Sequence, residues 1–122
     1  MTKIVLWVSD LESQIEFYSR LLDATIAHQS DGFAEVASAT NSVLLHQLPE
    51  QYRAQVPLTA QLATQDEVAI KPVFIVESIE VSQQRTAGTF ASFAAQKNTY
   101  GEFTYQDVVD PEGNVIQLQQ KL

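Results

Sequence analysis

Two histidines, His28 and His46, are the only imidazoles in 122 residues, and there is no cysteine. Imidazole is the side chain that moves protons near neutral pH and the commonest metal ligand. The lack of cysteine rules out disulfides and thiolate metal ligation. The chain has no Ser-His-Asp order, no glycine-rich phosphate loop and no carboxylate pair with catalytic spacing. His46 is thus the candidate base, although a structural histidine hydrogen-bonded at a strand end is the favoured reading of it. The closing residues raise a second question. Asp110-Pro111-Glu112-Gly113-Asn114 is a turn, in which Asp110 and Asn114 side chains can bond the local backbone. Val115-Ile116-Gln117-Leu118-Gln119 then alternates apolar and polar. Its polar face carries two neutral amides in a chain with 15 acidic and 7 basic residues.

The elements that position these residues follow from periodicity. Residues 3 to 8 are β-branched and apolar and read as a buried strand. Ser9 with Glu12 matches a capping box. Leu11, Ile15, Tyr18 and Leu22 then recur at helical spacing, with an end near Leu22-Asp23. Strands are predicted over Ala24–Gln29, Phe33–Ala39 and Ser42–Leu48, separated by Ser30-Asp31-Gly32 and Thr40-Asn41. Residues 49–69 lack periodicity and read as a linker, with a helical turn around Leu58 to Leu62. A strand over residues 71–76 opens the second half. A helix that begins over Glu77-Ser78-Ile79-Glu80 and runs to about Ala87 follows, stopped by Gly88. Strands over Phe90–Ala95, Glu102–Val109 and Asn114–Gln120 complete it.

The second half repeats the first. Lys3-Ile-Val-Leu-Trp-Val-Ser-Asp-Leu-Glu12 parallels Lys71-Pro-Val-Phe-Ile-Val-Glu-Ser-Ile-Glu80. Ser42-Val43-Leu44-Leu45 parallels Asn114-Val115-Ile116-Gln117. The same element order after both starts points to a duplicated unit. The reading is one domain, 1–122, made of a βαβββ module (1–48), a linker (49–69) and a second βαβββ module (70–122).

Charge and hydropathy set outer bounds. A net charge of −8 repels phosphate backbones, so nucleic acid is not an expected partner. It attracts cations at long range and also keeps a protein dispersed. No apolar run reaches the ~20 residues that span a bilayer. The first residues lack a secretory layout, so a cytoplasmic protein is the expectation.

Trp7-Val-Ser-Asp-Leu-Glu12 followed by Ile15-Glu-Phe-Tyr-Ser-Arg-Leu-Leu22, with Asp110-Pro-Glu-Gly-Asn-Val-Ile-Gln-Leu118 at the close, resembles the vicinal oxygen chelate superfamily. That superfamily includes glyoxalase I, bleomycin resistance proteins and extradiol dioxygenases. The resemblance implies an α+β fold in which two βαβββ modules form a curved mixed sheet around a cavity. In the superfamily's enzymes, His and Glu from the first and last strands of each module hold a metal. Carried over, those positions fall on Lys3, Lys71 and Gln117, and the repeat puts the fourth on Leu45, with Leu44 or His46 one residue away. An ammonium has no lone pair to offer a cation. His46 supplies at most one ligand where a catalytic Zn²⁺ usually takes three from the protein. No metal, no cofactor and no catalytic residue is therefore assigned.

Alternation places Val5 and Trp7 with Lys3, and Val73 and Ile75 with Lys71, on the cavity face. Gln117 and Gln119 share that face with Val115. The seventh strand offers Phe103 and Tyr105, or else Thr104 and Gln106. The expected ligand-binding residues are Trp7, His46, Lys71, Ile75, Phe103, Tyr105 and Gln117. Each has a plain structural role as well. Trp7 can pack in a core or dimer, Lys3 and Lys71 can reach solvent, and Tyr100 and Tyr105 can sit at a rim. The favoured function is metal-independent binding of a small organic molecule by a homodimer, as the bleomycin resistance branch implies. The alternative is a lyase, isomerase or dioxygenase-type enzyme with an altered site and His46 as base. A structural partner protein is the third reading.

Overall fold

Ile4-Val5-Leu6-Trp7-Val8 forms the first strand, β1 (Ile4–Val8), of the computed structural model. The structure describes residues 1–53 and 68–122. After β1 come α1 (Leu11–Leu21), β2 (Thr25–Ser30), β3 (Phe33–Ala37) and β4 (Ser42–Gln47). A single helical turn, α2 (Glu50–Arg53), opens the stretch read from sequence as a linker. The turn expected around Leu58 to Leu62 lies outside the described residues. The chain continues with β5 (Val73–Val76), α3 (Ile79–Arg85), β6 (Ser92–Phe93), β7 (Asn98–Tyr100), β8 (Phe103–Val109) and β9 (Val115–Lys121). It divides into two units, Met1–Leu58 and Thr59–Leu122.

The first unit is a four-stranded mixed sheet in the order β1-β4-β3-β2. β1 runs parallel to β4, and the other pairs are antiparallel. α1 packs on β3 and β4. It buries Leu11, Gln14, Ile15, Phe17, Tyr18 and Leu21, against Val8, Ala34, Val36, Val43 and Leu45 from the strands. Each large apolar side chain fully removed from water here contributes about 1.5–3 kcal/mol.

The start of α1 differs from the sequence expectation by one residue. Asp10, with extended backbone (φ −122°), is the N-cap, and its Oδ1 accepts from the Ser13 N–H at 3.1 Å. Glu12 therefore sits at the second helical position rather than the third. It cannot close a capping box with Ser9, but its charge still favours the helix N-terminus. The helix stops at Leu22, and Asp23 takes a left-handed φ of 49°.

The second unit repeats this topology in the order β5-β9-β8-β6, with β7 also on β8. β5 is parallel to β9, and the rest are antiparallel. Phe74, Ile79, Val108, Ile116 and Leu118 form its core. Ser78 caps α3 by accepting from the Val81 N–H at 3.2 Å. The Gln120 side chain accepts from the Ile79 N–H at 2.8 Å, tying that helix end to β9.

The strand expected over Phe90–Ala95 is shorter than expected. Only Ser92–Phe93 pairs there, opposite Val108 and Val109. A further strand that the sequence reading did not include, Asn98–Tyr100, pairs with Phe103–Tyr105 through a hairpin at Gly101, whose φ is +55°. The end of β6 is held from β8. The Gln106 side chain donates to the Ala94 carbonyl at 2.5 Å, and the Ala94 N–H donates to the Asp107 carbonyl at 2.9 Å.

Candidate functional site

Each sheet has one face under its helix and one face turned away from it. In the first unit the second face carries Val5 and Trp7 on β1, Phe33 and Glu35 on β3, and Leu44 and His46 on β4. The β1–β4 and β3–β4 registers make them neighbours: Val5 opposes Leu44, Trp7 opposes His46, and Phe33 opposes His46. The Trp7 and His46 rings meet at 4.3 Å between centroids, tilted by 44°. Phe33 lies 6.1 Å from His46, and His28 on β2 lies 6.0 Å from Phe33. A row of four rings thus crosses all four strands. Trp7 remains 54% exposed, so this row is not core. His46 Nδ1 also lies 3.3 Å from the Gln47 carbonyl, which fixes the ring.

Below the row lies an ion pair. Lys3 Nζ is 2.9 Å from Glu35 Oε2, and Ser42 Oγ donates to the same oxygen at 2.7 Å. The Ser42 hydrogen bond and then Lys3 hold the Glu35 carboxyl below the ordinary value of 4.5, although partial burial pulls it upward.

The second unit carries the corresponding pair. Lys71 Nζ is 2.7 Å from Asp107 Oδ2. The Gln117 side-chain amide donates to Asp107 Oδ1 at 3.1 Å, and the Gln119 amide donates to Gln117 Oε1 at 3.0 Å. The polar face of β9 is therefore a directed chain of hydrogen bonds ending on one carboxylate. This answers the question of the two glutamines. Asp107 accepts on both oxygens, so Gln117 must turn its NH₂ toward it and its oxygen toward Gln119. A carboxylate at residue 117 would instead face Asp107 as a like charge.

This chain floors an open concavity of about 420 Å³, lined by Lys71, Asn98, Tyr100, Tyr105, Asp107, Gln117 and Gln119. Of the residues expected from sequence, Lys71, Tyr105 and Gln117 come together here. Phe103 opposes Tyr100 and Lys121, on the same face of β8 as Tyr105. Ile75 opposes Gln119 across the β5–β9 pair and is 46% exposed. Trp7 and His46 belong to the first unit. The strand phase left open in the sequence is resolved: Gln106 is buried on the other side, so Phe103, Tyr105 and Asp107 share a face. Sequence reasoning missed Asp107 and Glu35 as site groups. The available signal was a carboxylate on the same face of the third strand in each half.

The two registers also settle the repeat. Val5 opposes Leu44 and Glu35 opposes Leu44; Val73 opposes Gln117 and Asp107 opposes Gln117. Leu44 is thus the counterpart of Gln117, and Leu45, aligned there from sequence, is fully buried. The β8–β9 connection is one residue longer than the β3–β4 connection, which shifts the alignment by one. The four positions that the superfamily resemblance gives to metal ligands hold Lys3, Leu44, Lys71 and Gln117. Both ammonium groups are already paired with carboxylates, and a leucine offers no donor. These residues do not fit a divalent metal. Among the described residues, no three His, Asp or Glu side chains gather as a metal site elsewhere.

No protein-family model matches the sequence, and no curated protein matches it. Solved structures do match. A glyoxalase/bleomycin resistance protein from Albidiferax ferrireducens T118 is 16% identical with a TM-score of 0.69, over 100% of this chain and 98% of that one. This is the vicinal oxygen chelate fold. A bleomycin-binding protein complexed with bleomycin is 15% identical with a TM-score of 0.66, over 100% of this chain and 98% of that one. A fosfomycin resistance protein from Listeria monocytogenes, complexed with Mn(II) and a dihydroxypropylphosphonic acid, is 12% identical with a TM-score of 0.68, over 100% of this chain and 90% of that one. The expected α+β fold with two βαβββ units is borne out. The vicinal oxygen chelate fold hosts both metal-containing and organic-ligand complexes, so fold alone does not choose between them.

Proposed function

We propose that this vicinal oxygen chelate protein binds a small organic molecule without a metal. One observation carries the reading: Lys71, paired with Asp107 and backed by Gln117, occupies the floor of the second unit's concavity. A lysine ammonium there supplies a fixed positive charge and spare N–H donors, and it repels a divalent cation. The bleomycin-binding neighbour supports organic ligands on this fold; the manganese complex shows the alternative that the lysines disfavour.

The reading extends to a cytoplasmic homodimer. Its support is the exposed apolar surface of the strands at the sheet ends: Val5 and Trp7 on β1, Val73 and Ile75 on β5. Among the described residues no helix is long and apolar enough to cross a membrane. The charge of −8 argues against nucleic acid as a partner.

The test is metal content of the purified chain together with thermal melts in Ni²⁺, Zn²⁺, Mn²⁺ and Fe²⁺. A metal at a hundred times its dissociation constant adds about 2.7 kcal/mol, which is a shift of several degrees for this size. The expected result is no bound metal and no shift. One metal per chain with a specific shift overturns the reading.

A further inference from the structure

Tyr105 has a side-chain amide directly opposite it on each neighbouring strand, Asn98 on β7 and Gln119 on β9. Directly opposed residues share a face of the sheet, with Cβ atoms about 5 Å apart. All three line the second unit's concavity, whose floor is the Lys71–Asp107 pair. Resting on the reading above, we infer that this concavity takes a neutral sugar, a pyranose laid against Tyr105 with its hydroxyls on the two flanking amides. The first ground is polarity. Among the described residues, no aliphatic side chain lines the concavity. Ligand pockets are more often walled by apolar groups. An apolar ligand here would strip water from amides and phenols and return no hydrogen bonds.

The second ground is charge. Lys71 and Asp107 are the ionised groups lining the concavity, and they neutralise each other at 2.7 Å. An anion meets the repulsion of a chain with net charge −8. A cation is drawn in by that charge but finds Asp107 only 9% exposed and engaged on both oxygens by Lys71 and Gln117. Breaking either contact would leave a buried group unsatisfied. The third ground is the match of the row itself. An amide side chain and a phenol each donate and accept, and so does a hydroxyl, so neither partner needs one fixed edge of the other. Gln119 spends one N–H on Gln117 Oε1 and keeps a second N–H and its oxygen. A pyranose has a face of C–H groups inside a rim of hydroxyls. An aromatic side chain with an amide on either side offers the counterpart, an apolar ring for the C–H face and hydrogen-bonding groups at the rim.

The experiment is a titration of the full chain followed by NMR amide shifts. The neutral probes are glucose, galactose and mannose, which differ only in the direction of single hydroxyls. Glucuronate and glucosamine are their anionic and cationic counterparts, and benzamide is a flat neutral control without hydroxyls. At least one neutral sugar is expected to move signals of β7, β8 and β9 and to bind more tightly than the other three probes. Asn98 is exposed, so Asn98→Leu should keep the fold and weaken that sugar roughly fivefold, the size of one lost hydrogen bond. Tyr105→Leu should weaken it by at least as much, through loss of the ring. Each variant's spectrum without sugar reports its fold. Tighter binding of glucuronate, glucosamine or benzamide overturns the ligand class and leaves small-molecule binding standing. Unchanged sugar binding by both folded variants, or no response to any of the three neutral sugars, also overturns it. The metal-free reading fails separately, by one metal per chain with a specific melting shift.

Discussion

Lys71 Nζ and Asp107 Oδ2 are 2.7 Å apart, joined across β9, whose Gln117 bonds both neighbours: its N–H donates to the Pro72 carbonyl at 2.8 Å and its side chain to Asp107. Lys3 and Glu35 make the equivalent pair across β4 at 2.9 Å. The two pairs differ in burial. The Lys71 side chain is 27% exposed and that of Asp107 10%, against 50% for Lys3. Lys71→Met should therefore cost about 1–3 kcal/mol, because it leaves the largely buried Asp107 carboxyl without its ion partner. Lys3→Met should cost about 0–1 kcal/mol, as exposed pairs do. Urea denaturation of both variants checks the order. Replacing Lys71 and Asp107 together by Met and Leu should cost less than Lys71→Met alone, since no unpaired charge remains.

The Glu35 carboxyl sets an acid limit on the first unit. Ser42 and Lys3 hold it below 4.5, so the unfolded chain takes up that proton at a higher pH than the folded one. The ionised group then favours folding above about pH 4.5, and this contribution disappears as pH falls through the lower folded value. Wild-type stability minus that of Glu35→Gln should be constant above about pH 5.5 and shrink below about pH 4.5. Denaturant midpoints across that range measure it. A difference that widened on acidification would contradict the Ser42–Glu35–Lys3 arrangement.

Asp10 caps α1, in place of the Ser9–Glu12 capping box expected from sequence. Asp10→Ala should destabilise the protein by about 1 kcal/mol, the usual cost of a lost N-cap. Glu12→Gln should change it by only about 0.3 kcal/mol, because its part is a charge near the helix dipole. Thermal melts of the two variants decide between them. Equal losses would restore the capping box.

The elements were legible where the periodicity was strong. β1, α1 and β9 carry unbroken apolar patterns, and turn residues fix their ends. The early end of β6 was hidden because it depends on Gln106 reaching the Ala94 carbonyl, a contact 12 residues apart. The faces of β8 were ambiguous for a related reason: Tyr105 and Gln106 suit either side, and only the pairing of Asp107 with Gln117 sets the phase. At the candidate site, Lys71 and Gln117 could be singled out from the repeat. Their partner could not. Asp107 reads as one carboxylate among 15 until the β8–β9 register brings it beneath Lys71. The one-residue slip at Leu44 arose from comparing sequence across two turns of unequal length.

The Asp110 turn explains why that register holds. Asp110 is fully buried, and its Oδ1 accepts from the N–H groups of Glu112 at 2.8 Å and Asn114 at 3.0 Å. Its Oδ2 accepts from the Asn114 side chain at 2.9 Å, and Gly113 supplies the left-handed φ of 92° that closes the loop. Hydrogen bonds to a charged acceptor are worth about 1.5–3 kcal/mol each and do not add fully. Asp110→Ala should thus cost about 3 kcal/mol, at the top of the range expected for Lys71→Met. The loss should be felt at the concavity as well, because β8 and β9 reach Asp107 and Gln117 directly from this turn. Hydrogen exchange of the β8 and β9 amides in Asp110→Ala tests that coupling. Faster exchange from Gln106 to Leu118 is expected, with β1 to β4 unchanged. Protection as in the wild type would show that the strands find their register without the turn.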